Sequence, residues 1–104
     1  MTRPAPETVE SMADLRACID AVDGELMALL AERMRYVDRA PALKAREGIS
    51  AAAPSRVQAV LDGVRARAEV LGVDPALAET LWRTMIETMI AREEQAIGKE
   101  GRDG

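Results

Sequence analysis

The chain has 104 residues, 48% of them hydrophobic and 31% charged, a composition typical of one folded domain and not of a disordered segment. It contains no histidine and a single cysteine, Cys18, which excludes a zinc cluster, a histidine-activated nucleophile and an internal disulfide. The net charge of −4 disfavours nucleic-acid binding, because neutralising phosphates requires a basic surface.

Residues 1–10 are predicted to be a flexible polar lead-in, since they lack the apolar run of a signal peptide. Residues 11–98 are expected to form one helical domain, and residues 99–104, which we call the tail, are expected to be frayed. No segment of the sequence approaches the ~20 apolar residues of a membrane helix, so we expect no membrane partner. A single thiol fits a reducing compartment, and we expect a cytoplasmic location.

A very long first helix is predicted from Met12 to Glu47. Ser11 can cap its start, and Gly48 can end it. Pro41 is expected to kink this helix without breaking it, because the helical periodicity continues beyond it. The residues that recur at spacings of three and four, and so share one face, are Leu15, Ile19, Val22, Leu26, Leu29, Arg33, Val37, Ala40 and Lys44.

Two further helices complete an all-α fold of three helices. The second is predicted from about Ser55 to Leu71. Asp74 and Pro75 are a cap and a first-turn residue for the third helix, which is predicted to end before Gly98. The face predicted to point inward on this third helix consists of Leu77, Leu81, Met85, Met89, Glu93 and Ile97.

The length of the first helix predicts a homodimer. A helix over residues 12–47 is about 54 Å long, whereas a compact chain of this size has a diameter of roughly 33 Å. Such a helix leaves much of its apolar face in water unless another chain covers it. A second copy of the same chain is the simplest partner, so we expect an intertwined homodimer.

Three charged residues, Arg33, Lys44 and Glu93, occupy helix positions where the pattern calls for apolar ones. Arg33 and Lys44 are separated by about 20° around the first helix and ~16 Å along it, so both can face one ligand. Burying a cation is costly unless an anion meets it, which predicts an anionic ligand. Alternatively, both cations extend to solvent or pair with acids on a neighbouring helix, and Glu93 belongs to a solvated helix end.

Arg16 and Arg56 are two further candidate cations. Arg16 lies ~25 Å from Arg33 along the first helix, so the two cannot hold one small molecule within one chain. In an antiparallel dimer, however, Arg16 of one chain can approach Arg33 and Lys44 of the other. Arg56 opens the second helix, where a solvated first-turn residue is the ordinary alternative.

The first helix carries several short motifs in addition to Lys44. They are ADLR at 13–16, IDAVD at 19–23, LLAERM at 29–34 and RMRYV at 33–37. Together with Lys44, these motifs resemble the all-helical chorismate mutase family, which includes the isochorismate pyruvate-lyases. The likeness extends over roughly residues 12–97 and is most specific in the first helix, where RMRYV looks particularly like the lyase branch.

The resemblance implies the chorismate mutase type II fold, an intertwined dimer with two active sites, a small dicarboxylate substrate, and no cofactor or metal. Arg16 matches an arginine that the partner chain contributes, and Arg33 matches a residue that grips a carboxylate within the subunit. Lys44 matches the lysine that faces the ether oxygen and a carboxylate. Arg56 matches the second-helix arginine, and Glu93 stands where many members have Gln.

The implied activity is the rearrangement of chorismate to prephenate, a step of aromatic amino acid biosynthesis, with Lys44, Glu93 and Arg33 as catalytic residues. Orientation and charge stabilisation would drive it, and Glu93 is expected to assist as a protonated acid. Two alternatives stay open. One is an isochorismate pyruvate-lyase giving salicylate and pyruvate, which Tyr36 and Val57 favour, and the other is a non-catalytic helical dimer.

Overall fold

The computed structural model describes residues 3–104, and three α-helices span this part of the chain. A short 3₁₀ turn at Pro6–Thr8 precedes them. The helices are α1 (Met12–Glu47), α2 (Pro54–Leu71) and α3 (Pro75–Ile97). The predicted all-α class with three helices is confirmed. Within residues 3–104, none of the helices combines the length and the apolar character that crossing a bilayer requires.

The long first helix forms as predicted. α1 is 36 residues long and continues through Pro41, so the proline does not break it. Ser11 Oγ accepts a hydrogen bond from the Asp14 N–H at 3.1 Å, which is the expected N-cap. Gly48, with a φ of 71°, follows the last helical residue.

The described chain divides into two compact units, one ending at Tyr36 and the other beginning at Val37. The first unit contains the lead-in and most of α1. Met1 and Thr2, which belong to the expected flexible lead-in, lie outside the described residues, and Arg3 pairs with Glu25 at 2.7 Å. No residue of α1, all of which is described, is buried. Leu26 and Leu29, on the face predicted to be apolar, are 60% and 62% exposed.

The second unit holds a core in which α2 packs against α3. The buried apolar residues of these two helices are Leu61, Val64, Ala68, Ala78, Ile86 and Met89. Asp74 caps α3, since its side chain accepts a hydrogen bond from the Ala76 N–H at 3.0 Å. α2 begins at Pro54, one residue before the predicted start, because proline suits a first-turn position whose N–H has no helical partner.

The third helix buries only part of the face that was predicted to point inward. Met89 and Glu93 are buried as predicted, whereas Leu77 and Leu81 are exposed. Ala78 and Ile86, which lie outside the predicted face, are buried. α3 carries apolar residues around more than one face, and α2 covers one of them. Leu77 and Leu81 are therefore accessible within a single chain.

The tail also differs from its expected frayed state. The Ser50 N–H donates to the Arg102 carbonyl at 2.7 Å, and the Arg102 N–H donates to the Gly48 carbonyl at 2.8 Å. Asp103 accepts a hydrogen bond from the Ser55 N–H at 2.9 Å. Ser50 is buried, and its backbone N–H needs a partner that the tail supplies.

Glu79 links α3 to α2 by accepting a hydrogen bond from Arg65 of α2 at 2.5 Å, and it accepts another from Arg83 of its own helix at 3.2 Å. The hydrogen bond from Arg65 is the largest influence that lowers the pKa of Glu79 below its ordinary value of 4.5. Because the folded pKa is the lower one, the stabilisation is present above the ordinary value and is lost as pH falls through the folded value.

Replacing Glu79 with Gln is therefore expected to lower the melting temperature slightly at pH 7 and to have less effect near pH 3. Thermal unfolding of both chains at the two pH values measures this difference. Glu87→Gln, at an exposed site of the same helix, controls for the loss of one carboxylate. An equal deficit of Glu79→Gln at both pH values would contradict the linkage.

Candidate active site

Lys44 and Glu93 meet between the end of α1 and α3. Lys44 Nζ lies 2.6 Å from Glu93 Oε2 and donates a hydrogen bond to it. The same Nζ donates to the Ala51 carbonyl at 2.8 Å. Glu93 is only 5% exposed, so it is not part of a solvated helix end. Lys44 pairs with an acid on a neighbouring helix, which was one of the alternatives for this cation.

The α1–α2 loop, residues 48–53, brings the Ala51 carbonyl to this lysine. Ser50, Ala51 and Ala53 are buried, and the Ser50 hydroxyl accepts a hydrogen bond from the Ala53 N–H at 3.2 Å. Ala53 has a φ of 36°, in the left-handed region, which turns the chain sharply into α2. The loop is thus a folded part of the site and not a solvated connection.

The ammonium group of Lys44 keeps one N–H for a further acceptor. An ammonium has three donors, of which Ala51 and Glu93 take two. The two bonds fix the direction of the third N–H by the tetrahedral geometry of the nitrogen. Because 21% of the Lys44 side chain is exposed, a ligand can reach it. The pair therefore presents an oriented donor on an otherwise shielded cation.

Glu93 is an acceptor for Lys44, and its expected role as an acid that donates to a ligand stays a prediction. Its Oε2 accepts the hydrogen bond from Lys44 Nζ. A buried ion pair of this kind is weak support for stability, because desolvating both charges offsets their attraction. Holding the lysine in one orientation is the function that this geometry supplies.

Sequence reasoning did not identify the Ala51 carbonyl or a second ion pair beside it. Arg92 of α3 lies 3.1 Å from Asp38 of α1 and ties the same two helices together near Lys44. Neither feature has a sequence signal, because one is a main-chain atom and the other involves ordinary exposed charges. Two ion pairs, at positions 38 and 44 of α1, thus anchor the end of this helix on α3.

Within residues 3–104, the hydrogen bonds and the ion pair of Lys44 and Glu93 involve none of the three candidate arginines. Arg56 is exposed on the first turn of α2, where its N–H donates to the Ala53 carbonyl at 3.0 Å. Arg16 is exposed and Arg33 is half-buried, and both belong to the first unit. Seventeen residues of α1 place Arg16 ~25 Å from Arg33 along the helix axis. One chain therefore does not bring these two arginines together, and their meeting across two chains stays a prediction.

Comparison with known proteins places these residues in a family context. The sequence model of the family "Chorismate mutase type II" matches residues 15–94, a range that contains all five candidate residues. The chain is 36% identical over 88 residues to the isochorismate pyruvate lyase of Pseudomonas aeruginosa, which covers 85% of this chain and 86% of that protein.

Two relatives of a different length are called T-protein. The chain is 34% identical over 87 residues to the T-protein of Haemophilus influenzae and 35% identical over 85 residues to that of Enterobacter agglomerans. These alignments cover 84% and 82% of this chain but 23% of each T-protein. The chain thus spans about a quarter of the T-proteins and most of the lyase. The resemblance predicted from the motifs of α1 is confirmed.

Proposed function

We propose that this chain, which belongs to the chorismate mutase type II family, is a chorismate mutase that rearranges chorismate to prephenate. One observation carries the proposal: Lys44 is held by Glu93 and by the Ala51 carbonyl in a way that leaves one N–H for a ligand. The proposed ligand atom for this N–H is the ether oxygen of chorismate.

The chemistry of the rearrangement suits an oriented donor of this kind. A carbon–oxygen bond of the ether breaks while a carbon–carbon bond forms within the same molecule, so no protein atom enters a covalent step. Negative charge develops on the ether oxygen in the transition state. A donor that is fixed beforehand stabilises this charge without having to reorganise, and holding the substrate in its folded conformation lowers the barrier further.

The charges of the proposed site match a dianion. Glu93 balances Lys44, so the binding of two substrate carboxylates falls to Arg33, Arg56 and Arg16 of the partner chain. Guanidinium groups bind carboxylates through two parallel hydrogen bonds, which fixes orientation as well as position. Three arginines facing two carboxylates leave one positive charge in excess, and this excess favours the charge that develops on the ether oxygen.

The exposed apolar face of α1 supports the proposal that two chains assemble. Ile19, Val22, Leu26 and Leu29 share this face and are all exposed in one chain. Burying a large apolar side chain contributes about 1.5–3 kcal/mol. A second α1 packed antiparallel on this face covers these residues and carries the partner's arginine at position 16 towards Lys44.

Isochorismate pyruvate lyase is the second candidate function. The observation that favours it is the relative of that name, of which the alignment covers 86%. Isochorismate is an isomeric dicarboxylate, so the same cations can bind it, and its cleavage releases salicylate and pyruvate. Val57, half-buried next to Arg56 on α2, also favours this candidate, because an apolar residue there does not recognise the ring hydroxyl of chorismate.

Assaying the purified chain separately with chorismate and isochorismate tests the proposal. We expect prephenate from chorismate at a higher kcat/KM than salicylate from isochorismate. The Lys44→Ala chain serves as the control for background rearrangement. Faster formation of salicylate would replace the mutase proposal with the lyase, and the absence of turnover of both substrates would contradict both.

A further inference from the structure

The tail is bonded to two segments that each carry one group of the proposed active site, the α1–α2 loop with the Ala51 carbonyl and the first turn of α2 with Arg56. Its backbone pairs with the α1–α2 loop, since Ile49 and Arg102 form a parallel bridge. The two hydrogen bonds of this bridge join Arg102 to Gly48 and to Ser50 at 2.8 and 2.7 Å. Ser50 directly precedes Ala51, whose carbonyl holds Lys44.

Asp103 holds the start of α2. Its Oδ1 accepts a hydrogen bond from the Ser55 N–H at 2.9 Å, and its Oδ2 accepts one from the Ser55 hydroxyl. The hydrogen bonds from Ser55 lower the pKa of Asp103 below its ordinary value. The first N–H groups of a helix have no partner within it and attract a carboxylate. Asp103 thus fixes the first turn of α2, which carries Arg56.

Gly101 permits the close approach of the tail to the loop. A Cβ atom at this position would lie 2.6 Å from the Ser50 nitrogen and 2.7 Å from the Ile49 carbonyl carbon. These atoms belong to the backbone and cannot move aside as a side chain can. The φ of Gly101, 129°, is also one that residues with a side chain rarely adopt. The pairing therefore depends on glycine at this position.

We propose that the tail positions the active site, with Gly101 and Asp103 as positioning residues that hold the Ala51 carbonyl against Lys44 and fix the turn carrying Arg56. This inference rests on the proposed function, because the proposed function assigns Lys44 and Arg56 to the binding of the substrate. The tail acts through the loop and through Ser55 and does not touch the substrate itself.

A released tail changes binding in a recognisable way. When the loop is held in only a fraction of the molecules, the apparent affinity for substrate falls by that fraction, and saturating substrate restores the competent state. Releasing the tail is therefore expected to raise KM by about tenfold with little change in kcat. General destabilisation would instead inactivate part of the protein, lowering the apparent kcat at an unchanged KM.

The experiment uses full-length Gly101→Ala, Asp103→Ala and Asp103→Asn chains, with Glu100→Ala as a matched control at an exposed tail position. kcat and KM are measured with chorismate and with isochorismate, and hydrogen exchange is followed at the amides of Ser50 and Ser55 without substrate. We expect faster exchange and a raised KM in both alanine variants at positions 101 and 103. Asp103→Asn should recover part of the affinity, because its side-chain oxygen still accepts from the Ser55 N–H.

Each contrary result identifies what fails. Unchanged exchange at Ser50 in Gly101→Ala would overturn the holding of the loop by the tail. Faster exchange at an unchanged KM would overturn the positioning role. A wild-type chain that turns over neither substrate would overturn the proposed function and, with it, the catalytic role of the tail. The hydrogen exchange at Ser50 and Ser55 would still show whether the tail pairs with the loop, because it is measured without substrate.

Discussion

Replacing Lys44 by alanine is expected to lower kcat/KM for chorismate by about 10²–10³-fold, the usual effect of removing one oriented donor from a developing negative charge. The loss should fall mainly on kcat, because the ether oxygen carries most of its charge in the transition state. Steady-state kinetics that follow the disappearance of chorismate measure the effect.

The same substitution is expected to destabilise the fold, since it leaves the buried carboxylate of Glu93 without its ammonium partner. Breaking a buried ion pair from one side costs about 3–5 kcal/mol. A chain with both Lys44→Ala and Glu93→Gln removes the unpaired charge, so its melting temperature should recover while its activity stays low. Recovery of activity together with stability would show that Lys44 is a structural residue and not a catalytic donor.

Replacing Arg16 by alanine is expected to lower kcat/KM by about 10²-fold, mostly through KM, because a charge-assisted bond to a substrate carboxylate is lost. Within its own chain Arg16 is exposed and belongs to a different unit from Lys44. A large effect on catalysis with an unchanged melting temperature therefore indicates a role in the site of another chain.

Arg39→Ala provides the matched control for this substitution. Arg39 is an exposed arginine of the same helix that is not among the proposed substrate ligands. Its removal lowers the net charge by the same amount and should change kcat/KM by less than about twofold, because exposed charges at a distance are screened by salt. Equal losses in the two variants would mean that removing any positive charge from α1, and not Arg16 in particular, weakens the binding of the substrate.

The helices could be predicted closely from the sequence, because their ends carry local signals. Ser11 and Asp74 accept hydrogen bonds at the starts of α1 and α3, and Gly48 follows the end of α1. Glu93 and Lys44 stood out because charge interrupts an apolar face, and the structure joins them. The local sequence pattern was sufficient to predict those features that depend on residues within one helix turn of each other.

The parts that escaped prediction depend on contacts between residues distant in sequence. The Ala51 carbonyl bonds Lys44 only because the loop folds back, and Asp103 bonds Ser55 across 48 residues of chain. The inward face of α3 was wrong at Leu77, because apolar residues on several faces leave the choice to the packing of α2. Neither a main-chain hydrogen-bond acceptor nor a paired tail produces a periodic pattern of residue types in the sequence.

A mixing experiment tests most directly whether cations from two chains meet around one dianion. Arg16→Ala chains are combined in equal amounts with the Lys44→Ala, Glu93→Gln double variant, unfolded and refolded together. If Arg16 acts across the interface, each mixed dimer has one intact site and one site carrying all the substitutions. Random pairing then restores about a quarter of the wild-type activity.

Mixing Arg33→Ala with the same double variant is the control, because Arg33 and Lys44 are proposed to serve a site from one chain and every mixed dimer then lacks an intact site. We expect recovery to about a quarter of wild-type turnover in the first mixture and none in the second. An Arg16→Ala mixture that stays as inactive as its separate components would contradict the shared site.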